Sequence, residues 1–172
     1  MLIAIRTLLM LTMLLGVGYP LLVTLIGQQF WSYQANGSLL KDQSGHVIGS
    51  ALIGQPFTRA NYLHSRPSAS HYQPDDSSAT NWPPFDAARR QFALSQHSHQ
   101  PAMMTYSGSG VDPDLPVAAV QSQLARISIA CNIDQSPLQA LLASQTKSGM
   151  LGPKVINVLM FNLALQKICH AR

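Results

Sequence analysis

"YPLLVTLIGQQFWSYQANGSLL", residues 19–40, opens as apolar helix and closes as polar, turn-forming chain, so a change of environment falls inside it. On its N-terminal side, residues 7–26 carry no charge and include eight leucines. A helix of that length, rising about 1.5 Å per residue, reaches about 30 Å, the hydrocarbon thickness of a bilayer. Eight leucines at roughly −0.5 kcal/mol each contribute about −4 kcal/mol toward insertion. Arg6, at the rim, can snorkel to the headgroups. A cleaved signal peptide would have an apolar region of about 7 to 15 residues and an A-x-A-like site, and neither is present. The reading is a retained single span over residues 7–26, after a tail of residues 1–6. Residues 27–36 follow as an interfacial segment in which Phe30, Trp31 and Tyr33 form an aromatic belt.

Pro20 interrupts this span, with Gly16 and Gly18 just before it. Proline removes one helical hydrogen bond and crowds the preceding turn, and lipid offers the freed carbonyl no solvent. Neighbouring helices commonly cover such a site, and glycines let another backbone come close. Gly16, Gly18 and Pro20 are therefore partner-contact candidates in a multi-helix assembly. Arg6 precedes the span, whereas the first charge after it is Lys41, beside Asp42. The positive-inside rule places the N-terminus in the cytoplasm and the remainder outside.

Only 10% of the 172 residues are charged, the formal net charge is +4, and no residue is glutamate. Carboxylate chemistry is thinly supplied. Apart from Arg89-Arg90 the basic residues are scattered, which excludes a stripe suited to a nucleic-acid backbone.

Residues 37–172 read as a small α+β extramembrane domain. Two β-favouring runs, residues 38–41 and 46–53, flank a polar turn and predict a hairpin. Asn36-Gly37-Ser38 fits a glycosylation pattern and also a simple turn. Residues 66–84 predict a long loop, and residues 86–96 a helix beginning at Phe85 or Asp86. Residues 103–106 predict a short strand, and the Ser107-Gly108-Ser109-Gly110 turn leads to a helix over about residues 115–131. Val120, Leu124, Ile127 and Cys131 mark its buried face. Ser136 is placed as the cap of the next helix, with Pro137 at its first position and Leu138, Leu141 and Leu142 inward. A final helix over about residues 158–167 carries Leu159, Leu163 and Ile168.

No phosphate loop and no G-x-S-x-G nucleophile elbow occurs, and the glycines of "SGSG" serve a turn more readily than an anion nest. His46, His64, His71, His97 and His99 lack the spacing of a zinc site, so no metal ligand is assigned. Cys131 and Cys169 are either a disulfide pair or small core residues. An anchored wall-binding or hydrolytic module is a further possibility for a span joined to a polar domain, but it lacks a recognisable nucleophile or carboxylate pair.

"GVGYPLLVT", "QANGSL", "GSALIGQPF", "RPSA", "SGSGVDPDLP" and "INVLMFNLAL" together, in order and across nearly the whole chain, resemble the C-subunit family of the bacterial potassium-transporting Kdp P-type ATPase. The resemblance implies a non-catalytic accessory subunit. Its partners would be a channel-like potassium-binding subunit, a P-type ATPase subunit and a small single-span subunit. ATP would then enter only through the ATPase subunit. The resemblance also implies an alternative, a catalytic chaperone that raises ATP affinity, with Gln123 and Arg126 of the Q-x-x-R word affecting nucleotide. The family's Ser-Gly-rich loop reads "DDSSATNWPP" here, without glycine. Arg66 and Asp112 fit loop-ordering or partner contacts.

Overall fold

The computed structural model describes residues 1–42, 44–96, 98–148 and 152–169. The chain forms two compact units, Met1–Ser50 and Ala51–Arg172.

The first unit is dominated by one continuous apolar helix, Leu2–Phe30, of 29 residues with mean hydropathy 2.1 and no burial within the protein. It comprises α1 (Leu2–Leu11), a π-helical stretch (Thr12–Gly18) and α2 (Tyr19–Phe30). At 1.5 Å per residue it extends about 43 Å, beyond the hydrocarbon core at one or both ends. The π stretch lies immediately ahead of Pro20, and the Tyr19 N–H donates to the Leu14 carbonyl, five residues back. Widening the turn there makes room for the pyrrolidine ring, so the helix continues across the proline. Trp31, at φ −135° and ψ 46°, ends α2. The short α3 (Ser32–Ala35) follows, and the Gln28 and Asn36 side-chain amides bond each other at 3.0 and 3.3 Å. Asn36 and Gly37 then turn the chain, with Gly37 at φ +82°.

The hairpin is β1 (Leu39–Lys41) against β2 (Val47–Ser50), antiparallel and irregular between Leu40 and Lys41. Asp42 closes its turn by accepting from the N–H groups of Ser44 and His46, both at 2.9 Å. The second strand stops at Ser50, short of the expected Ile53. Ser50 pairs with Leu39, the first residue of β1, so no ladder partner remains beyond it.

The second unit is built on a three-residue ribbon. β3 (Asp114–Pro116) and β4 (Val155–Asn157) pair antiparallel, Leu115 opposite Ile156, and each strand runs directly into a helix, α6 (Val117–Cys131) or α8 (Val158–Cys169). Between them lies α7 (Gln135–Gln145). Upstream come α4 (Ala87–Ser95), capped by the Asp86 carboxylate on the Ala88 N–H at 2.7 Å, and the single turn α5 (Pro101–Met104). Leu63, Leu115, Val120, Leu124, Ile127, Leu138, Leu142, Ile156, Val158, Phe161 and Leu165 form the core.

Three further expectations are corrected. Residues 103–106 are not a strand: Pro101 starts α5, and the Thr105 hydroxyl bonds the Pro101 carbonyl at 2.9 Å. A pre-set proline φ at a helix start outweighs the β-favouring residues after it. Leu115 belongs to β3 rather than to the helix, because the residue before a proline is pushed into extended backbone. Ser136 does not cap α7. The helix begins at Gln135 after Asp134, which puts Pro137 at the third position, where an N–H would still lack an intrahelical partner.

Gly110 sits at φ +77°, and a Cβ there would overlap Ser70 Oγ. Gly110→Ala should cost about 2–4 kcal/mol, from left-handed backbone plus overlap, measured as a lower urea midpoint of the full chain in detergent.

Candidate functional site

Leu63 is fully buried yet belongs to no strand, so its backbone needs partners from elsewhere. Side-chain amides supply them. The Leu63 N–H donates to Asn162 Oδ1 at 2.8 Å, and Asn162 Nδ2 donates back to the Leu63 carbonyl at 2.9 Å. One residue on, the His64 N–H donates to Gln123 Oε1 at 3.0 Å, and Gln123 Nε2 donates to the His64 carbonyl at 3.2 Å. Each amide stands in for one rung of a β-ladder. Arg126 completes the clasp, with Nη2 donating to the Tyr62 carbonyl at 3.0 Å and to Gln123 Oε1 at 2.7 Å, and Nη1 to the Ala60 carbonyl.

Gln123 and Arg126 are therefore brought together, three residues apart on α6, and both are engaged by the chain's own backbone. Gln123 is 8% exposed, and its Nε2 also donates to the Ala119 carbonyl at 3.4 Å. Both amide atoms have partners within the fold. Asn162, 1% exposed on α8, belongs to the same clasp and was missed from sequence. A polar residue inside the apolar run "VLMFNLAL" was its only signal.

Arg66 and Asp112 also meet. Arg66 Nη1 lies 3.2 Å from Asp112 Oδ2, and Nη2 donates to the Tyr106 carbonyl at 3.2 Å. The Arg66 carbonyl accepts the Tyr72 hydroxyl at 2.6 Å, and burial pushes the Tyr72 phenol up to about 12. Asp112 Oδ1 accepts the Asp114 N–H at 3.1 Å, which ties the pair to the start of β3. At the "SGSG" turn the Ser107 N–H donates to the Pro67 carbonyl at 2.9 Å, and just beyond it the Val111 carbonyl accepts the Gly54 N–H at 2.7 Å. The far end of the long loop is pinned by Trp82, edge-on to Tyr106 with ring centroids 5.5 Å apart, while Phe92 stacks on Tyr106 at 4.2 Å.

In the apolar helix, a Cβ on Gly16 or Gly18 would meet its nearest atom at 3.8 or 3.6 Å, ordinary contact distances. The helix itself does not require glycine at either place. Pro20 lies in the first turn of α2. Among the described residues, no group of three or more His, Cys, Asp or Glu side chains could hold a metal ion, and His97 lies outside them. Cys131 and Cys169, left open by sequence, are joined in a disulfide with Cα atoms 5.3 Å apart.

These features define a class: a small α+β domain following one apolar N-terminal helix, in which the buried amides Asn162 and Gln123 hold loop backbone. The family model for the c chain of the K+-transporting ATPase, KdpC, matches residues 1–167. The potassium-transporting ATPase KdpC subunit of Pseudomonas putida is 41% identical over 171 residues, covering 94% of this chain and 93% of that protein. The corresponding subunit of Pseudomonas aeruginosa is 42% identical over 172 residues, covering 94% and 93%, and that of Pseudomonas syringae pv. tomato 38% over 177 residues, covering 98% and 93%. The chain belongs to the KdpC family, the c chain of the K+-transporting P-type ATPase.

Two outcomes follow for the clasp. Asn162→Leu strands a buried N–H and a buried carbonyl and should destabilise the chain by about 2–5 kcal/mol in urea unfolding. His64 is half-buried, and burial, with Arg126 nearby, holds its imidazole below the ordinary 6.5 against the opposing Arg59 carbonyl bond. The unfolded chain then binds more protons between the lowered value and 6.5, so this contribution is complete above that window and is lost as pH falls through it. The urea midpoint should decline from about pH 7.5 to about pH 5, and His64→Gln should flatten that slope.

Proposed function

We propose that this chain is a non-catalytic accessory subunit of an ATP-driven potassium-uptake complex in the bacterial inner membrane. Its N-terminus is cytoplasmic and its domain extracytoplasmic. It stabilises assembly and coupling of a channel-like potassium-binding subunit and a P-type ATPase subunit, beside a small single-span subunit. The observation that carries this reading is the state of Gln123 and Arg126. Gln123 is buried and bonded to His64, and Arg126 bonds the Ala60 and Tyr62 carbonyls, so Gln123 would meet ATP only after its own loop opened. ATP then enters the complex through the ATPase subunit.

The apolar helix supports the same reading. Gly16 and Gly18 leave a surface where another backbone can approach, beside the carbonyl that Pro20 leaves without its usual helical donor. Arg6 before the span, with no charge until Lys41 after it, favours the outward domain.

Gln123→Ala separates this from the nucleotide-chaperone reading. In complexes that retain the variant subunit, KM for ATP should stay within about twofold of the parent, while the subunit itself unfolds about 2–3 kcal/mol more easily. A rise in KM of about tenfold or more, with the subunit's stability unchanged, would establish the chaperone reading in its place.

A further inference from the structure

The disulfide is the one covalent feature of the described fold, and neither its spacing nor its position suits an exchange enzyme. Cys131 closes α6 and Cys169 closes α8, 38 residues apart, with no C-x-x-C word in the chain. Both are partly buried and pack against the core, alongside Ile133 and Leu141. Asn132, in the left-handed conformation at φ 52°, ends α6 right after Cys131, and the Ile133 N–H returns to the Ser128 carbonyl at 3.1 Å. Cys131 is thereby held at a fixed helix end. The bond closes a circuit through α7 and β4 and fastens the end of the helix that carries Phe161, Asn162 and Leu165. A long closed loop of this kind restricts the unfolded chain strongly.

Such a bond persists only where thiols are not kept reduced, outside the bacterial cytoplasm. We propose that Cys131 and Cys169 are a maturation site: the pair is the substrate of an extracytoplasmic dithiol–disulfide oxidant, and the product bond staples α8 to α6. The proposal rests on the outward orientation given above. One cysteine thiolate attacks a sulfur of the oxidant's disulfide, which forms a mixed disulfide and frees one oxidant thiol. The second cysteine attacks the subunit's sulfur of that mixed bond, which forms Cys131–Cys169 and expels the second oxidant thiol. Two electrons and two protons pass from the subunit to the oxidant, which leaves as a dithiol.

The test uses the full chain co-expressed with its sister subunits. Membranes from aerated cells are acid-quenched, and thiols are alkylated with a polyethylene-glycol maleimide before and after reduction. The expected result is no adduct before reduction and two after; adducts before reduction overturn the proposal. In parallel, Ser77→Cys, at an exposed position, is probed in intact spheroplasts with a membrane-impermeant maleimide and read against the parent chain. Bonded cysteines with a labelled Ser77→Cys support the proposal. Free Cys131 and Cys169 with labelling overturn the oxidation step but leave the outward orientation standing. Bonded cysteines without labelling overturn the orientation and the extracytoplasmic oxidant together, and free cysteines without labelling overturn both readings. The staple itself is read by hydrogen exchange in α8, which reduction should speed by about tenfold or more. Unchanged exchange removes that part of the proposal.

Discussion

A buried backbone must be hydrogen-bonded, and the second unit is arranged around meeting that demand at one place. Leu63 fills the core from an irregular segment that has no strand beside it. Asn162 and Gln123 each offer a donor and an acceptor in the geometry of a peptide group, and Arg126 answers the carbonyls just upstream. An unpaired peptide group at this depth costs about 1–3 kcal/mol, so the faces that α6 and α8 turn toward the loop have little freedom. The Leu115–Ile156 ribbon that launches both helices fixes where those amides arrive.

The same demand, in a different solvent, shapes the apolar helix. Pro20 cannot donate, and hydrocarbon cannot make up the loss. Within the helix the answer is a π-helical stretch over Thr12–Gly18, which relieves the crowding around the ring. That leaves the proline's missing bond and two glycines the helix does not itself need.

Much of the helical content was legible along the chain. Val120, Leu124, Ile127 and Cys131 repeat at helical spacing and do line the inner face of α6, and α4 starts at Ala87, one residue after the expected Asp86. The three-residue strands β3 and β4 were not legible as strands, since a segment so short shows no alternation and only its pairing defines it. Residues 103–106 suggest a strand because Met, Thr and Tyr tolerate both states, and the fixed φ of Pro101 just before them decided for a helical turn over Pro101–Met104.

The sequence by itself determined the apolar N-terminal helix, the family and the order of the longer helices, because insertion depends on summed apolar residues and family words on local chain. It also singled out Gln123, Arg126, Arg66 and Asp112. What each of them touches was decided only by the tertiary structure. Arg66 meets Asp112 from 46 residues away and Gln123 meets His64 from 59, and the disulfide needed two helix ends brought to 5.3 Å. Hydrogen bonds and covalent bridges depend on distances that no linear spacing encodes.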